Sequence, residues 1–138
     1  ANTPLNPVLM AIAGGAGFVA RAFSGDREHL IHIMKQAISY KGYAMVDILQ
    51  PCISFNKINT FAYYKSHVYH IEDTFDSSNK LAAMEKAMEM DDRIPIGVLY
   101  QEEKKTYHQK NQVLSTGEPL VDRKTDRNTI HKFISEFV

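Results

Sequence analysis

Apolar positions recur along this chain with spacings that separate strands from helices. Phe18–Phe23 is apolar at every position except Arg21, which is typical of a strand covered on both faces. Asp26–Tyr40 follows with apolar residues at helical spacing, and Lys41-Gly42 is expected to end that helix. Tyr43–Leu49 is again almost wholly apolar. Strand, helix and strand in this order predict a β-α-β unit with a right-handed crossover.

Weaker signals flank this unit. Before it, Asn6-Pro7 combines a helix-capping residue with a proline suited to the first helical position, which predicts a short helix over Val8–Ala13. Gly14-Gly15 is expected to end that helix. After the unit, the pattern predicts four elements: a short helix over Thr60–Ser66, an edge strand over His67–Ile71, a helix over Asn79–Met90 with Leu81, Met84 and Met88 as its buried stripe, and a third strand over Ile94–Tyr100.

The last third of the chain is first polar and then amphipathic. Residues 101–125 show no clear periodicity, and so long a stretch without structure is unusual inside a compact domain. We expect it to wrap over another surface, in this chain or in a neighbour. Beyond it, Asp126 is the expected cap of a last helix, whose apolar positions follow the spacing i, i+3, i+4, i+7: Ile130, Phe133, Ile134 and Phe137.

Composition narrows the classes of function. The chain has 138 residues with 16 basic and 16 acidic side chains, so its formal charge is zero. A nucleic-acid module needs a cationic surplus, and this balance predicts no nucleic-acid partner. The apolar run Val8–Ala20 is too short to cross a bilayer, and no Lys or Arg precedes it, the first being Arg21. We therefore expect a cytoplasmic protein that does not associate with membranes.

Three motifs that invite a ligand are better explained without one. Gly14-Gly15-Ala16-Gly17 follows a helix and precedes a strand, the reverse of a dinucleotide-binding loop, which favours a turn or close-packing role. The pairs His29/His32 and His67/His70 could each place two imidazoles on one side of a helix. Zinc requires three or four ligands and no third lies at a suggestive spacing, which favours surface histidines. Residues 73–79 lack the central glycine and terminal glutamate of a calcium loop.

Cys52 is the one cysteine of the chain, which excludes an intrachain disulfide. It follows Gln50-Pro51, just beyond the C-terminal end of a predicted parallel strand, where open α/β sheets place ligands. From the residues alone two interpretations stay open: a small buried hydrophobe, or a thiolate that acts as nucleophile or metal ligand. A nucleophile needs a base. A four-iron cluster needs four thiolates, so the other three would lie outside this sequence.

Several segments follow one known family in order. They are Asn6-Pro7-Val8-Leu9, Gly17–Arg21, His29-Leu30, Lys41-Gly42-Tyr43 and Asp47–Asn56, with weaker matches at Ile94–Tyr100 and Pro119-Leu120-Val121. On these residues the chain resembles the β subunit of the 2-oxoacid:ferredoxin oxidoreductases, the subunit that binds thiamine diphosphate. The resemblance covers nearly the whole chain, and residues 1–56 carry its specific part.

This resemblance implies an α/β fold that is part of the thiamine-diphosphate-binding fold. It comprises a β-α-β unit with parallel strands covered by helices, plus a C-terminal extension. Residues 1–56 would form the C-terminal part of the thiamine-diphosphate-binding domain, and residues 57–138 the extension packed on it. The family's Gly-Asp-Gly stretch, which holds magnesium and the diphosphate, and three of its cluster cysteines do not occur here. The chain therefore resembles the second half of the subunit.

By the same resemblance, Cys52 matches the family cysteine that gives the fourth thiolate to a [4Fe-4S] cluster, with Gln50, Pro51 and Phe55 around it. The implied function is oxidative decarboxylation of a 2-oxoacid, 2-oxoglutarate or a broader range, to acyl-CoA, with electrons passed through the cluster to ferredoxin. The implied cofactors of the intact enzyme are thiamine diphosphate, magnesium and the cluster. The chain alone is expected to bind none of them and to be inactive. The α subunit and ferredoxin are the implied partners.

A second hypothesis is a self-contained α/β protein-interaction module without catalysis, which would bind another protein through residues 101–125. Under the first hypothesis, the family's sheet would continue into residues that this chain does not contain. The chain would then carry an open strand edge and an apolar face. Such surfaces seek partners, so we expect the isolated chain to associate with itself.

Overall fold

The computed structural model describes residues 4–115, 117–119, 121, 122, 124 and 129–137. The chain divides into two units, Ala1–Lys104 and Lys105–Val138. The first unit contains α1 (Pro7–Ala13), β1 (Phe18–Phe23), α2 (Arg27–Ser39), β2 (Ala44–Leu49), α3 (Phe61–His67), β3 (Val68–His70), α4 (Lys80–Met88) and β4 (Ile94–Gln101). The second unit contains α5 (Tyr107–Lys110), α6 (Gln112–Ser115) and α7 (Thr129–Ser135).

The first unit is built on one four-stranded sheet in the order β2-β1-β4-β3. β1 and β2 pair in parallel from Phe18↔Ala44 to Phe23↔Leu49, and α2 connects them, which confirms the predicted β-α-β unit. β4 pairs antiparallel with β1 and parallel with β3. The sheet is therefore mixed. The predicted edge strand does lie at an edge, and β1 lies in the interior.

Both faces of β1 are covered, as its apolar run, interrupted only by Arg21, predicts, and all six of its residues are buried. On one face, Phe18, Ala20 and Ala22 form a cluster with Ile33 of α2. On the other face, a cluster joins β1 and β4 to the helices α1 and α4; its members include Val8, Ile12, Val19, Ala83, Ala87 and Leu99. The two clusters fix α2 on one side of the sheet and α1 with α4 on the other.

The predicted buried stripe of α4 is wrong. Leu81 is 73% exposed and Met88 57% exposed, whereas Ala83 and Ala87 are fully buried; of the predicted stripe, Met84 alone packs on the core. The reason is a close approach between α4 and α1: Asn6, which caps α1, donates from its side-chain amide to the carbonyl oxygen of Ala87 at 2.8 Å. Only small side chains fit between helices that lie so near each other.

The glycine run after α1 has the structural role that its position indicates. Gly15 adopts a φ of +89°, which favours glycine in a turn. At Gly17 an added Cβ would lie 1.9 Å from Oη of Tyr40, whose hydroxyl donates to the carbonyl oxygen of Glu102 at 2.6 Å. Gly15 makes the turn, and Gly17 lets the ring of Tyr40 approach the backbone.

The second unit differs in part from its prediction. Residues 101–125 are not wholly without structure, since β4 extends to Gln101 and α5 and α6 follow. α5 has a capping box in which Thr106 and Gln109 each accept the other's backbone N–H. The predicted last helix is present as α7, while its expected cap, Asp126, lies outside the described residues. The apolar side chains of this segment are exposed: Ile130, Phe133, Ile134 and Phe137. Each helix among the described residues is too short or too polar to cross a lipid bilayer.

Candidate functional site

The segment that carries Cys52 begins at a fixed point of the sheet. β2 ends at Leu49, which is buried, and its carbonyl oxygen accepts two hydrogen bonds from Ser24, one from the backbone N–H at 3.0 Å and one from the hydroxyl at 3.1 Å. Ser24 follows directly after β1. Pro51 is also buried. The parallel strands β1 and β2 are thus tied together at their C-terminal ends, immediately before the cysteine.

From Cys52 the backbone turns back on itself. The N–H of Asn56 donates to the carbonyl oxygen of Cys52 at 3.0 Å. The side-chain oxygen of Asn56 then accepts from the N–H groups of Ile58 and Asn59, at 2.9 and 3.0 Å. Nζ of Lys57 donates to the carbonyl oxygen of Ile53 at 2.6 Å. These contacts hold residues 52–59, here called the cysteine loop, in a tight turn without a helix or strand.

The turn places backbone N–H groups where they favour the ionised form of the Cys52 thiol. The backbone N–H groups of Phe55 and Ser54, and more weakly that of Asn56, hydrogen-bond to the sulfur and lower its pKa below the ordinary value of a cysteine. The thiol itself is exposed. Because hydrogen bonds to the charged form favour that form, the loop stabilises a thiolate. A small buried hydrophobe, one of the two interpretations open from the sequence, is therefore wrong for this residue.

The cysteine loop also exposes large apolar side chains. Ile53, Phe55 and Ile58 are 72%, 94% and 80% exposed. Exposed apolar clusters of this kind mark surfaces that another protein segment covers. Phe55 thus contributes its amide to the sulfur and presents its ring to solvent, while Gln50 is exposed and Pro51 is buried. Gln50, Pro51 and Phe55, the three residues expected around the cysteine, therefore have different environments.

Within the described part of the chain, Cys52 belongs to no group of three or more metal-binding side chains. The one group of three such side chains found there is Asp26, His29 and His70, and it does not include Cys52. His32 and His70 are exposed, as expected for surface histidines, but the fold also brings His70 beside His29, a pair that sequence spacing did not indicate. The third ligand that sequence spacing did not offer is Asp26, the N-cap of α2. The local sequence signal for this group is an acidic N-cap residue, Asp26, three residues before His29.

Comparisons with known proteins decide the family. The sequence profile for the C-terminal region of the pyruvate ferredoxin oxidoreductase beta subunit matches residues 52–116. The chain is 44% identical over 107 residues to the 2-oxoacid:ferredoxin oxidoreductase 1, subunit beta, of Aeropyrum pernix, which covers 70% of this chain and 34% of that protein. It is 42% identical over 123 residues to the 2-oxoacid:ferredoxin oxidoreductase subunit beta of Saccharolobus solfataricus, which covers 79% of this chain and 40% of that protein. The chain belongs to this β-subunit family.

A solved structure extends the relationship to the fold of the β-subunit family. A 2-oxoglutarate:ferredoxin oxidoreductase from Magnetococcus marinus, with 2-oxoglutarate, coenzyme A and succinyl-CoA bound, matches with a TM-score of 0.82 at 32% sequence identity. The match covers 96% of this chain and 45% of that chain. The present chain thus spans less than half the length of these family members and corresponds to their C-terminal part. The predicted family and α/β fold class are confirmed.

Proposed function

We propose that this chain is the C-terminal part of a 2-oxoacid:ferredoxin oxidoreductase β subunit and that Cys52 is a ligand of its [4Fe-4S] cluster. The observation that carries the proposal is the Cys52 thiol, which is exposed three residues beyond the end of β2 and has a pKa lowered by backbone N–H groups of its own loop. The family profile begins at this same residue. The proposal concerns the assembled enzyme, since the chain has no other cysteine.

The donor set fits an iron–sulfur cluster. Such clusters are held by cysteine thiolates, and the N–H groups that bond to the ligating sulfur help set the reduction potential. The cysteine loop provides a thiol with a lowered pKa, N–H donors from Ser54 and Phe55, and an open side toward solvent. A bound [4Fe-4S] cluster supplies one-electron transfer at this position. The cysteine loop orients the sulfur and reduces the cost of removing its proton.

The reaction we propose for the complete enzyme converts a 2-oxoacid, coenzyme A and two oxidised ferredoxins to acyl-CoA, carbon dioxide, a proton and two reduced ferredoxins. The relative from Magnetococcus marinus binds 2-oxoglutarate and succinyl-CoA, which supports 2-oxoglutarate as a substrate. Thiamine diphosphate and magnesium are proposed cofactors, held by residues outside this chain. No described residue is assigned to them, and the chain alone is proposed to be inactive.

The exposed apolar side chains of the cysteine loop support the proposed partners. Ile53, Phe55 and Ile58 would be covered when the rest of the β subunit and the α subunit assemble around the cluster, which keeps water from the thiolate. Ferredoxin is the proposed electron acceptor. Because the thiol must stay reduced until the cluster forms, we also propose that the protein works in the reducing cytoplasm. Isolated from its partners, the chain should associate with itself through these side chains.

The test uses the complete β subunit, expressed together with its α subunit. Cys52→Ser should lower the iron content, remove the electron paramagnetic resonance signal of the reduced cluster and abolish ferredoxin reduction by 2-oxoglutarate. Lys35→Ala, which alters an exposed side chain on α2, is the control and should leave all three unchanged. A Cys52→Ser complex that keeps its iron and its activity would overturn the proposal.

A further inference from the structure

A second cluster of ligand-type side chains lies away from the cysteine loop in sequence and includes the edge strand β3. Asp26 is the N-cap of α2, His29 belongs to its first turn, and His70 ends β3. One donor atom from each of the three side chains lies within 4.8 Å of the other two. Two elements that are 44 residues apart in sequence therefore present a carboxylate and two imidazoles to one point.

Hydrogen bonds already hold the Asp26 carboxylate and the His70 ring in place. Oδ1 of Asp26 accepts the backbone N–H of His29 at 3.2 Å, and Oδ2 meets Nε2 of His70 at 2.8 Å. The two imidazole rings lie with their centroids 4.5 Å apart and their planes inclined by 33°. The carboxylate is thus fixed by the helix it caps, and only small movements would bring the three donors to coordination distance.

The protonation states suit a metal ion. Burial, with the neighbouring His70 ring, lowers the pKa of His29, so its ring is neutral at neutral pH. Burial opposes ionisation of Asp26, but the hydrogen bonds from His70 and from the His29 amide outweigh it and lower the pKa of this carboxyl. Nδ1 of His29 is buried and has no hydrogen-bond partner among the described residues, so no contact through that atom fixes the tautomer. A neutral imidazole and an ionised carboxylate are the forms that bind zinc.

From this geometry we propose that Asp26, His29 and His70 bind a zinc ion. Three protein ligands leave a fourth tetrahedral position open. A cavity of about 510 Å³ lies alongside, with Asp26, His70 and Phe61 in its lining, and has room for a water molecule at that position. On binding, the ion takes the place of the proton that Nε2 of His70 shares with Asp26, and that proton is released or moves to Nδ1.

The zinc ion would join β3 to the start of α2. β3 has three residues and pairs with β4 on one side, so ladder hydrogen bonds alone hold it weakly. A bond from His70 to an ion held by α2 adds a second attachment. Zinc should therefore raise the thermal unfolding temperature of the protein. This inference is independent of the proposed function, because it involves neither Cys52 nor the partner subunit.

The experiment measures zinc binding to the full chain carrying Cys52→Ser, which removes the competing thiol. Titration with zinc and with Co²⁺ should give one equivalent bound, the visible bands of tetrahedral Co²⁺ and a higher unfolding temperature. His70→Gln and Asp26→Asn keep a hydrogen-bonding side chain, and Asn remains a good helix cap. Each should weaken zinc affinity by about tenfold or more.

His32→Ala is the matched control, because His32 is three residues from His29 but is not a member of the cluster. It should leave zinc affinity unchanged. A Cys52→Ser chain that binds no zinc at micromolar concentration would overturn the proposal, as would equal affinity in the His70→Gln variant. Circular dichroism shows whether each variant is folded. Zinc analysis of the assembled β–α complex should give one zinc per β subunit, and its absence there would also overturn the proposal.

Discussion

Arg21 and Asp47 face each other across the parallel strands β1 and β2, and Nε of Arg21 donates to Oδ2 of Asp47 at 3.0 Å. Arg21 is only 1% exposed, and its Nη1 is buried without a partner among the described residues. The pair borders a cavity of about 290 Å³ whose lining includes Leu5 and Met90. The single polar position in the apolar run of β1 is therefore a buried cation with one anion to balance it.

Removal of that anion should destabilise the protein. We expect Asp47→Ala to lower the free energy of unfolding by about 3 kcal/mol, because it leaves the guanidinium buried and uncompensated. Asp47→Asn keeps an acceptor for Nε and should cost less. Urea denaturation of the three proteins gives the comparison. Equal stability of Asp47→Ala and the unchanged chain would show that another group balances the charge of Arg21.

The N–H groups around Cys52 should be visible in its reactivity. Alkylation by iodoacetamide should titrate with a midpoint below that of a cysteine in a flexible peptide, since the thiolate predominates above the lowered pKa. Phe55→Pro removes the strongest N–H donor and should move the midpoint upward. Phe55→Ala removes the ring but keeps the amide, so its midpoint should match that of the unchanged chain. If Phe55→Ala instead shifts it as far as Phe55→Pro, the aromatic ring and not the amide controls the thiol.

Because α4 packs closely against α1, we expect stability to depend more on a buried alanine of α4 than on its exposed leucine. Ala87→Leu places a larger side chain where no space exists and should cost about 1–3 kcal/mol. Leu81→Ala removes a largely exposed side chain and should change stability by no more than about 0.5 kcal/mol. Denaturant midpoints measured under identical conditions test both. A larger loss of stability for Leu81→Ala than for Ala87→Leu would support the buried stripe that the sequence predicts.

Glu89 should contribute to the pH dependence of stability. Burial opposes its ionisation, but hydrogen bonds from Tyr69 and from Lys86, whose Nζ lies 3.0 Å from a Glu89 carboxylate oxygen, together lower its pKa below the ordinary 4.5. A carboxyl with a lowered pKa stabilises the folded state above its unfolded pKa, and this contribution disappears as the pH falls through the folded value.

Thermal unfolding of the unchanged chain and of Glu89→Gln measures this contribution. The difference between their unfolding temperatures should be largest near pH 7 and should vanish well below pH 4.5. Glu103→Gln is a suitable control, because it makes the same change at an exposed glutamate. A difference that stays constant across the acid range would mean that the amide changes packing instead of charge.

Local signals account for the parts of the fold that sequence analysis predicted well. β1 occupies Phe18–Phe23 as expected, and α2 begins after the predicted cap Asp26, because a nearly continuous apolar run and an N-cap are both properties of a few neighbouring residues. The antiparallel direction of β4 and the alanine contact of α4 depend on which elements meet across the core, and periodicity within one helix does not carry that information. The boundary between residues 56 and 57 stays a prediction.

For the candidate sites too, local features could be predicted from the sequence and long-range contacts could not. Cys52 was identified by its position after a strand and by family resemblance, whereas its exposure and its N–H donors follow from a turn that no short motif announces. The grouping of His29 with His70 depends on the register of β3 against β4, in which His70 pairs with Ile96. Sequence spacing suggested His32 as the partner of His29 and His67 as the partner of His70, because it relates only residues that are close along the chain.

The backbone N–H and the hydroxyl of Ser24 both donate to the carbonyl oxygen of Leu49. Ser24 lies two residues before Asp26, and Leu49 lies three residues before Cys52. The segments that carry Asp26 and Cys52, two of the proposed metal ligands, therefore both start from this hydrogen-bonded junction. Under the proposed function, this junction would hold the start of the cysteine loop against the end of β1. Ser24→Ala would remove the hydroxyl's hydrogen bond and keep the bond from the backbone N–H, so the loop after β2 would be attached less firmly to the end of β1.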